Sequence, residues 1–455
     1  MQKLEEFIAE NRAAFEQDLC DLLRIPSIST DSQYHGEVRK AAEWVANQFR
    51  SLDLNTEIIE TVGQPLVYAE TPPVPGKPVA LVYGHYDVQP PDPLDEWLSP
   101  PFEPEIRNDN IYARGAVDDK GQVYLVIKAI EALLAVYGSL PVNIKFLVEG
   151  EEETDGGVLR TYLEEHGGEL GADAALVCDT DMFAPGLPTL CTGLRGLVYA
   201  EIEVRGARTD LHSGMYGGVA PNPFQGLAEI LSGLKDREGR IVVPGIYEQV
   251  TPPSDAEREA WANLPFDEDE MREAEIGSKS LVGEPGKNAL ERIWARPTFE
   301  VHGMPGGFTG HGAKTVIPAK ATAKVSMRLV PDIDADRAAD ALVAAVQALE
   351  PAGMTATTRI MAKAPASMTS TDSVFIQKAA EALEETFEKK TVYVRSGGSI
   401  PVVGLFQEHA GIPSVLMGFG LPDDNLHAPN EKFHIPNFHS GTRTVARYLQ
   451  FLGED

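Results

Sequence analysis

The sequence has few cysteines, too few basic residues to balance its acids, and no long apolar run. Its three cysteines, Cys20, Cys178 and Cys191, form no Cys-x-x-Cys pair. A disulfide framework is therefore excluded, and a reducing compartment is expected. Lys and Arg number 39 against 69 Asp and Glu, a formal net charge of −30. Nucleic acids and anionic membranes are held by clustered Lys and Arg, so neither is expected as a partner. The surplus acid reads as a solvated surface, with runs such as 267–270 in exposed loop. No apolar stretch approaches the ~20 residues that span a bilayer. The first six residues read as the start of an acidic helix and not as a signal peptide. A cytoplasmic location follows as an expectation. No Gly-x-Ser-x-Gly elbow of a serine hydrolase occurs. The glycine-rich loop at 303–312 is not followed by Gly-Lys-Ser/Thr and a helix, which argues against phosphate cradling.

What is present suits a folded protein: 43% apolar residues, in a chain of 455, enough for two domains. Residues 1–193 alternate strand and helix, the pattern of an α/β domain with a mainly parallel sheet. Within it, Val123, Val126, Ile127, Ile130, Leu133 and Leu134 recur at three- and four-residue steps, predicting a helix over 120–137. The pattern then changes. Val198, Ala200, Ile202 and Val204 alternate with polar neighbours, as do Ala323, Val325, Met327 and Leu329. Both runs predict half-exposed strands, and a helix is expected at 334–349. Residues 194–363 are accordingly expected to form a smaller inserted α+β domain. The chain then returns, over 364–455, to the first domain for one more strand and a helix at 440–452.

Four apolar runs of the first domain end on acidic or histidine residues. Residues 79–83 pass through Gly84 into His85, Tyr86 and Asp87, and 143–148 lead into Glu149, Gly150, Glu151, Glu152 and Glu153. Residues 174–178 stop on Asp179, and 413–419 lead through a turn to His427. In open parallel sheets the ligand crevice lies outside the carboxyl ends of the strands, so these groups are expected to meet. Catalytic zinc and its relatives take imidazole nitrogen and carboxylate oxygen. His85, Asp118, Glu153, Asp179 and His427 would serve a two-metal site. Asp118 and Asp119 also stand at the positive end of the 120–137 helix, where ordinary N-capping is the other reading. Asp87 lies two residues after His85, on the same side of an extended strand. It is placed to accept the imidazole's second N–H. In the triplet Glu151, Glu152 and Glu153, which enters the turn at 154–157, one carboxylate can bind metal while a neighbour stays free as a base. Crowded like charges raise its pKa toward that task. Asp181 rivals Asp179, and His434 and His439 rival His427; His302, His311 and His409 match no ligand position.

The constellation resembles peptidase family M20, and within it the carnosinase-like, non-specific dipeptidases. The motifs that carry the resemblance run over nearly the whole chain: GHYDVQP (84–90), RGAVDDKG (114–121), EGEEETDGG (149–157), Asp179-Thr180, GLRG (193–196), DLHSGMYGG (210–218), KTVIPA (314–319), SMRLVPD (326–332), GGSIP (397–401) and HAPNEKF (427–433). It implies a zinc-peptidase catalytic domain with an inserted ferredoxin-like lid and dimerisation domain. It implies two divalent ions per chain, zinc first, with manganese and cobalt equally suited to such ligands. His85 and Asp179 would hold one ion, Glu153 and His427 the other, and Asp118 would bridge them. Asp118–Asp119 would be a cis peptide bond. Glu152 would be the general base acting through a metal-bridging hydroxide, with Asp87 supporting His85. His212 would reach across a homodimer to stabilise the oxyanion at the partner's site. Arg328 would bind the substrate's free carboxyl terminus, with Thr315, Gly398 and Ser399 lining the pocket.

The reaction expected from this resemblance is hydrolysis of the peptide bond of dipeptides or short peptides. An amidohydrolase of N-acyl amino acids, of the deacetylase or desuccinylase type, shares the metal site and is the alternative. The long segment at 251–286 and the DLHSGMYGG and GGSIP motifs favour the dipeptidase branch. A non-catalytic metal-binding protein is the third reading, but it would have lost Glu152, Asp87 or a ligand. Some carnosinase-like relatives carry a substrate-contacting histidine after the inserted domain. None stands between His311 and His409 here, so substrate preference does not carry over.

Overall fold

A computed structural model describes residues 2–154 and 157–454. The chain forms two compact units. The first comprises residues up to Thr192, Thr369–Val394, and the chain from Leu405 onward; the second comprises Gly193–Met368 and Arg395–Gly404. The sequence pattern had assigned 395–404 to the first unit. The structure puts this segment in the second, where Arg395 donates to Glu257 and Arg195 donates to Gly397. Such pairings, between residues more than a hundred positions apart, leave no local periodicity.

The first unit has a mixed α/β fold. Its sheet runs in the order Asn55–Ile59, Leu66–Glu70, Asn143–Glu149, Val79–His85, Ala174–Val177, Ser414–Leu416 and Thr189–Leu194. The four strands from Asn143–Glu149 to Ser414–Leu416 are parallel, and the outer pairings are antiparallel. The parallel strands are apolar almost continuously because both of their faces are covered. Val82, Ile144, Phe146 and Val177 are buried in this core.

The helix Lys120–Tyr137 has the predicted bounds and is buried nearly all round, not on one face alone. It packs against Gln2–Leu23 and Ile435–Gly453, so its polar residues need internal partners. Lys120 donates to the carbonyls of Ile25 and Leu22, and Gln122 donates to Val117 and accepts from the Phe419 amide. Gly138, at φ 73°, ends the helix in the left-handed conformation that glycine adopts without penalty.

The second unit is a four-stranded antiparallel sheet ordered Thr298–Gly303, Lys320–Leu329, Gly196–Arg205 and Thr355–Ala364. Helices Pro223–Leu234 and Ala335–Ala348 follow the first and third of these strands in chain order. This is the split βαβ arrangement of ferredoxin-like folds. Val198, Ala200, Ile202 and Val204 are buried, as their alternation required. No helix among the described residues is long and apolar enough to cross a membrane.

Candidate metal centre

The candidate metal centre is built at the carboxyl ends of the parallel strands of the first unit. His85 closes its strand and lies in register with Glu149, the last residue of the neighbouring strand. Asp179 follows Ala174–Val177 after one further residue. Asp118 comes from the loop before Lys120–Tyr137, and its peptide bond to Asp119 is cis. His427 sits at φ 58° in a turn where Asn425 and Asn430 are also left-handed. That turn brings it back to the loop of Asp118.

Two ligand groups result, and they share one carboxylate. His85, Asp118 and Asp179 form the first, and Asp118, Glu153 and His427 the second; within each, the donor atoms lie within 4.8 Å of one another. Asp118 turns Oδ1 to His85 Nε2 at 3.1 Å and Oδ2 to His427 Nε2 at 2.9 Å. His85 Nε2 is 4.0 Å from Asp179 Oδ2, and His427 Nε2 is 3.4 Å from Glu153 Oε2. One oxygen facing each group is what a carboxylate bridging two cations presents.

Asp87 reaches this site differently from the sequence expectation. His85 Nδ1 is 3.1 Å from the Asp87 backbone carbonyl and 3.4 Å from its carboxylate. The carboxylate accepts mainly from Ser29 Oγ at 2.6 Å and from the amides of Glu153 and Glu152 at 3.1 and 3.3 Å. Asp87 thus ties the imidazole to the acidic turn. Within that turn Glu153 also accepts from Gln89 at 2.8 Å, and Glu151 accepts from the Gln64 amide at 3.0 Å. Glu152 stands outside both ligand groups. Asp155 and Gly156 of the same motif lie outside the described residues.

Electrostatics show what the donors demand. Burial pushes the Glu152 carboxyl up to about 8, with the charges of Glu153 and Glu149 adding to the rise. Asp179 is raised well above the usual carboxylate range by burial and then by Asp118. Burial would raise Asp118 too, but hydrogen bonds from His427 and His85 outweigh it and hold the group below that range. The same bonds, from Asp118 first and then Glu153, raise His427 to about 10. The depressed carboxyl of Asp118 and the raised imidazole of His427 show that the site favours positive charge beside its shared carboxylate. Divalent cations would supply it with the imidazoles neutral, so the donor set fits two such ions.

The sequence pattern of peptidase family M20/M25/M40 matches residues 81–450. The chain belongs to that family. The chain is 31% identical to the Cys-Gly metallodipeptidase of Candida albicans, over 100% of this chain and 98% of that protein. It is also 31% identical to the human Beta-Ala-His dipeptidase, over 85% and 77%. Among solved structures, the dipeptidase Dug1p of Saccharomyces cerevisiae superposes with a TM-score of 0.86 at 29% identity, covering 100% of this chain and 98% of that one. An M20 metallo-carboxypeptidase of Sulfolobus solfataricus gives 0.86 at 32% identity, over 96% and 99%.

The other M20 candidates, His212, Thr315, Arg328, Gly398 and Ser399, lie in the second unit. His212 is exposed, and its Nδ1 accepts from the Gly214 amide at 3.0 Å, capping a short helical turn. Its strand pairs His212 with Val316, and the Ser213 amide donates to Thr315. Arg328 donates to Ser399 Oγ at 2.7 Å, and Gly398 accepts from the Arg195 amide at 3.0 Å. The rival residues fall elsewhere: His434 faces Asn437, His439 faces Glu16, and Asp181 belongs to neither ligand group. His302, which matched no ligand position, stacks on Tyr199.

Sequence reasoning missed the residues that hold the ligands. Glu431 accepts from the amides of Gly115, Val117 and Asp118 and from Arg114 Nη1 at 2.7 Å, fixing the loop of the shared carboxylate. Asp119 accepts from the His85 amide at 3.2 Å. Both lie inside motifs recognised in the sequence, but their partners are not sequence neighbours.

Proposed function

We propose that the protein is a metallodipeptidase that cleaves the peptide bond of dipeptides or short peptides. The observation that carries this reading is the Asp118 carboxylate, one oxygen in each ligand group, beside a glutamate that neither group uses. Relatives named as Cys-Gly and Beta-Ala-His dipeptidases support the substrate class. Two divalent ions, of which zinc, manganese or cobalt suits these donors, polarise the scissile carbonyl and acidify water when bound.

The chain's own residues do the rest. His85 and Asp179 would hold one ion and Glu153 and His427 the other, with Asp118 offering an oxygen to each group. Glu152 takes a proton from the attacking water and returns it to the leaving amine, a task its raised pKa suits. Asp87 holds His85 and the amides of Glu152 and Glu153 in place. Arg328 takes the substrate's free carboxyl terminus through its fork of N–H donors, beside Ser399, Gly398 and Thr315. His212, exposed on the second unit, stabilises the oxyanion of a partner subunit in a homodimer. Three free, buried cysteines support a reducing, cytoplasmic setting.

Glu152→Gln tests the reading: turnover of dipeptides is expected to vanish while metal analysis still finds about two ions per chain, as loss of a proton carrier alone requires. Normal turnover in that variant would refute the assigned base. Parallel assays of dipeptides and N-acyl amino acids separate peptidase from deacylase, and a clear preference for the acyl compounds would overturn the substrate class.

A further inference from the structure

The chain carries 30 more acidic than basic charges, yet two of its arginines sit partly buried together with no acid among the described residues bound to either. Arg195 Nε donates to the Gly397 carbonyl at 2.8 Å, and Nη1 lies 3.4 Å from Thr298 Oγ1. Thr298 is the strand partner of Arg328. Arg328 donates to Ser399 Oγ, and that hydroxyl in turn donates to the Arg195 carbonyl. One strand pair and one serine therefore gather both guanidiniums.

Their acceptors are all neutral. Carbonyl and hydroxyl oxygens satisfy N–H groups but do not neutralise charge, and a buried unpaired charge is expensive. Burial pushes the Arg195 pKa down to about 10, the charge of Arg328 adds to the fall, and the charge of Glu300, an acid paired with Lys235, opposes it only in part. For Arg328 burial alone lowers the pKa, and no carboxylate opposes it. Elsewhere in this unit Arg296 is paired with Glu284 and Arg395 with Glu257, while Arg292 braces the carbonyls of Glu284 and Val282 with no second guanidinium recorded beside it. A simple brace for the Gly397–Ser399 loop would need the hydrogen bonds of Arg195 but not a second guanidinium gathered beside it. A guanidinium has five N–H donors, so both side chains keep donors for an anion.

We propose that Arg195 is a second guanidinium of the substrate-carboxylate site, a specificity-determining residue that shares one carboxylate with Arg328. This rests on the assignment of Arg328 to the substrate's carboxyl terminus. The ligand class is a peptide with a free C-terminal carboxylate, and a neutral terminus is discriminated against.

The test compares Ala-Gly with its C-terminal amide, using parent enzyme, Arg195→Met and Arg195→Lys. In Arg195→Met the acid-over-amide preference in kcat/KM is expected to fall about tenfold or more, mainly through KM for the acid, as loss of a charge-assisted bond predicts. Arg195→Lys, which keeps the charge, should restore part of it. A parallel loss for acid and amide, leaving their ratio unchanged, would show a brace and overturn the proposal. Calorimetric titration of Glu152→Gln, with and without Arg195→Met, reads the same ratio as affinity. If the parent cleaves neither compound, the dipeptidase reading fails. The titration then still decides whether Arg195 selects a carboxylate, and no preference for the acid in either protein counts against it.

Discussion

Asp87 is joined to both halves of the metal centre by different atoms. Its carbonyl meets the imidazole of His85, while its carboxylate carries the amides of Glu152 and Glu153. Residues that support a ligand in this way change metal affinity by about 10–100-fold when removed. Asp87→Ala should therefore weaken binding by that order in a chelator competition, and an unchanged affinity would show that the backbone carbonyl suffices. Glu431 has a comparable role for Asp118. It is paired with Arg114, which is only 1% exposed. Glu431→Gln leaves that guanidinium without a counter-charge, so a loss of about 3–5 kcal/mol is expected in denaturant unfolding. The difference in legibility between these two acids is physical. Asp87 was readable because strand geometry puts residues two apart on one side. Glu431 acts across more than 300 residues, and only its motif was visible. Even for Asp87 the sequence named the carboxylate as the imidazole's partner, whereas the shorter contact is to the carbonyl, whose direction depends on the turn after the strand.

Strand ends pack closely enough here that two glycines behave oppositely. A Cβ on Gly418 would lie 1.6 Å from the Thr180 carbonyl oxygen, in the loop after the Asp179 strand. Gly36, in the helix His35–Ser51, has nothing within 4 Å. Gly418→Ala should destabilise by at least about 1–3 kcal/mol through forced backbone movement. Gly36→Ala should stabilise by about 0.5–1 kcal/mol through chain entropy. Urea midpoints of the two variants check both signs. Elements with strong periodicity were legible to the residue, as Lys120–Tyr137 shows. The last helix was expected from 440 but begins at Ile435. Pro436 falls in its first turn, where a missing N–H costs nothing, so the proline does not mark the helix's outer boundary. The two-residue pairing of Leu211–His212 with Val316–Ile317 is too short to have any period at all.

At the scale of the whole molecule, all five proposed ligands lie in one unit and all of the proposed substrate-recognition residues in the other. Cations that bind only the folded state stabilise it by mass action, by about 2.7 kcal/mol at a hundredfold excess over Kd. Chelation should thus lower the thermal transition of the first unit and leave that of the second in place, as calorimetry of the same sample with and without chelator would show. A uniform downward shift would contradict the assignment of the ions to the first unit alone. The unit boundaries were legible where periodicity changes, near residue 193. They were not legible at 395–404, a stretch captured by Glu257 and Arg195.

The order of the chain has a consequence for biosynthesis. The strand Ser414–Leu416, which completes the parallel centre beside Ala174–Val177, and His427 behind it, are made only after the entire second unit. At about 5–20 residues per second on the ribosome, the Ala174–Val177 edge waits tens of seconds for its neighbour. Until then a half-made chain has only one of the two imidazoles proposed as ligands. Translation itself therefore delays peptide hydrolysis until the chain has been made past His427, and until then the Ala174–Val177 edge is an unpaired strand edge open to wrong partners.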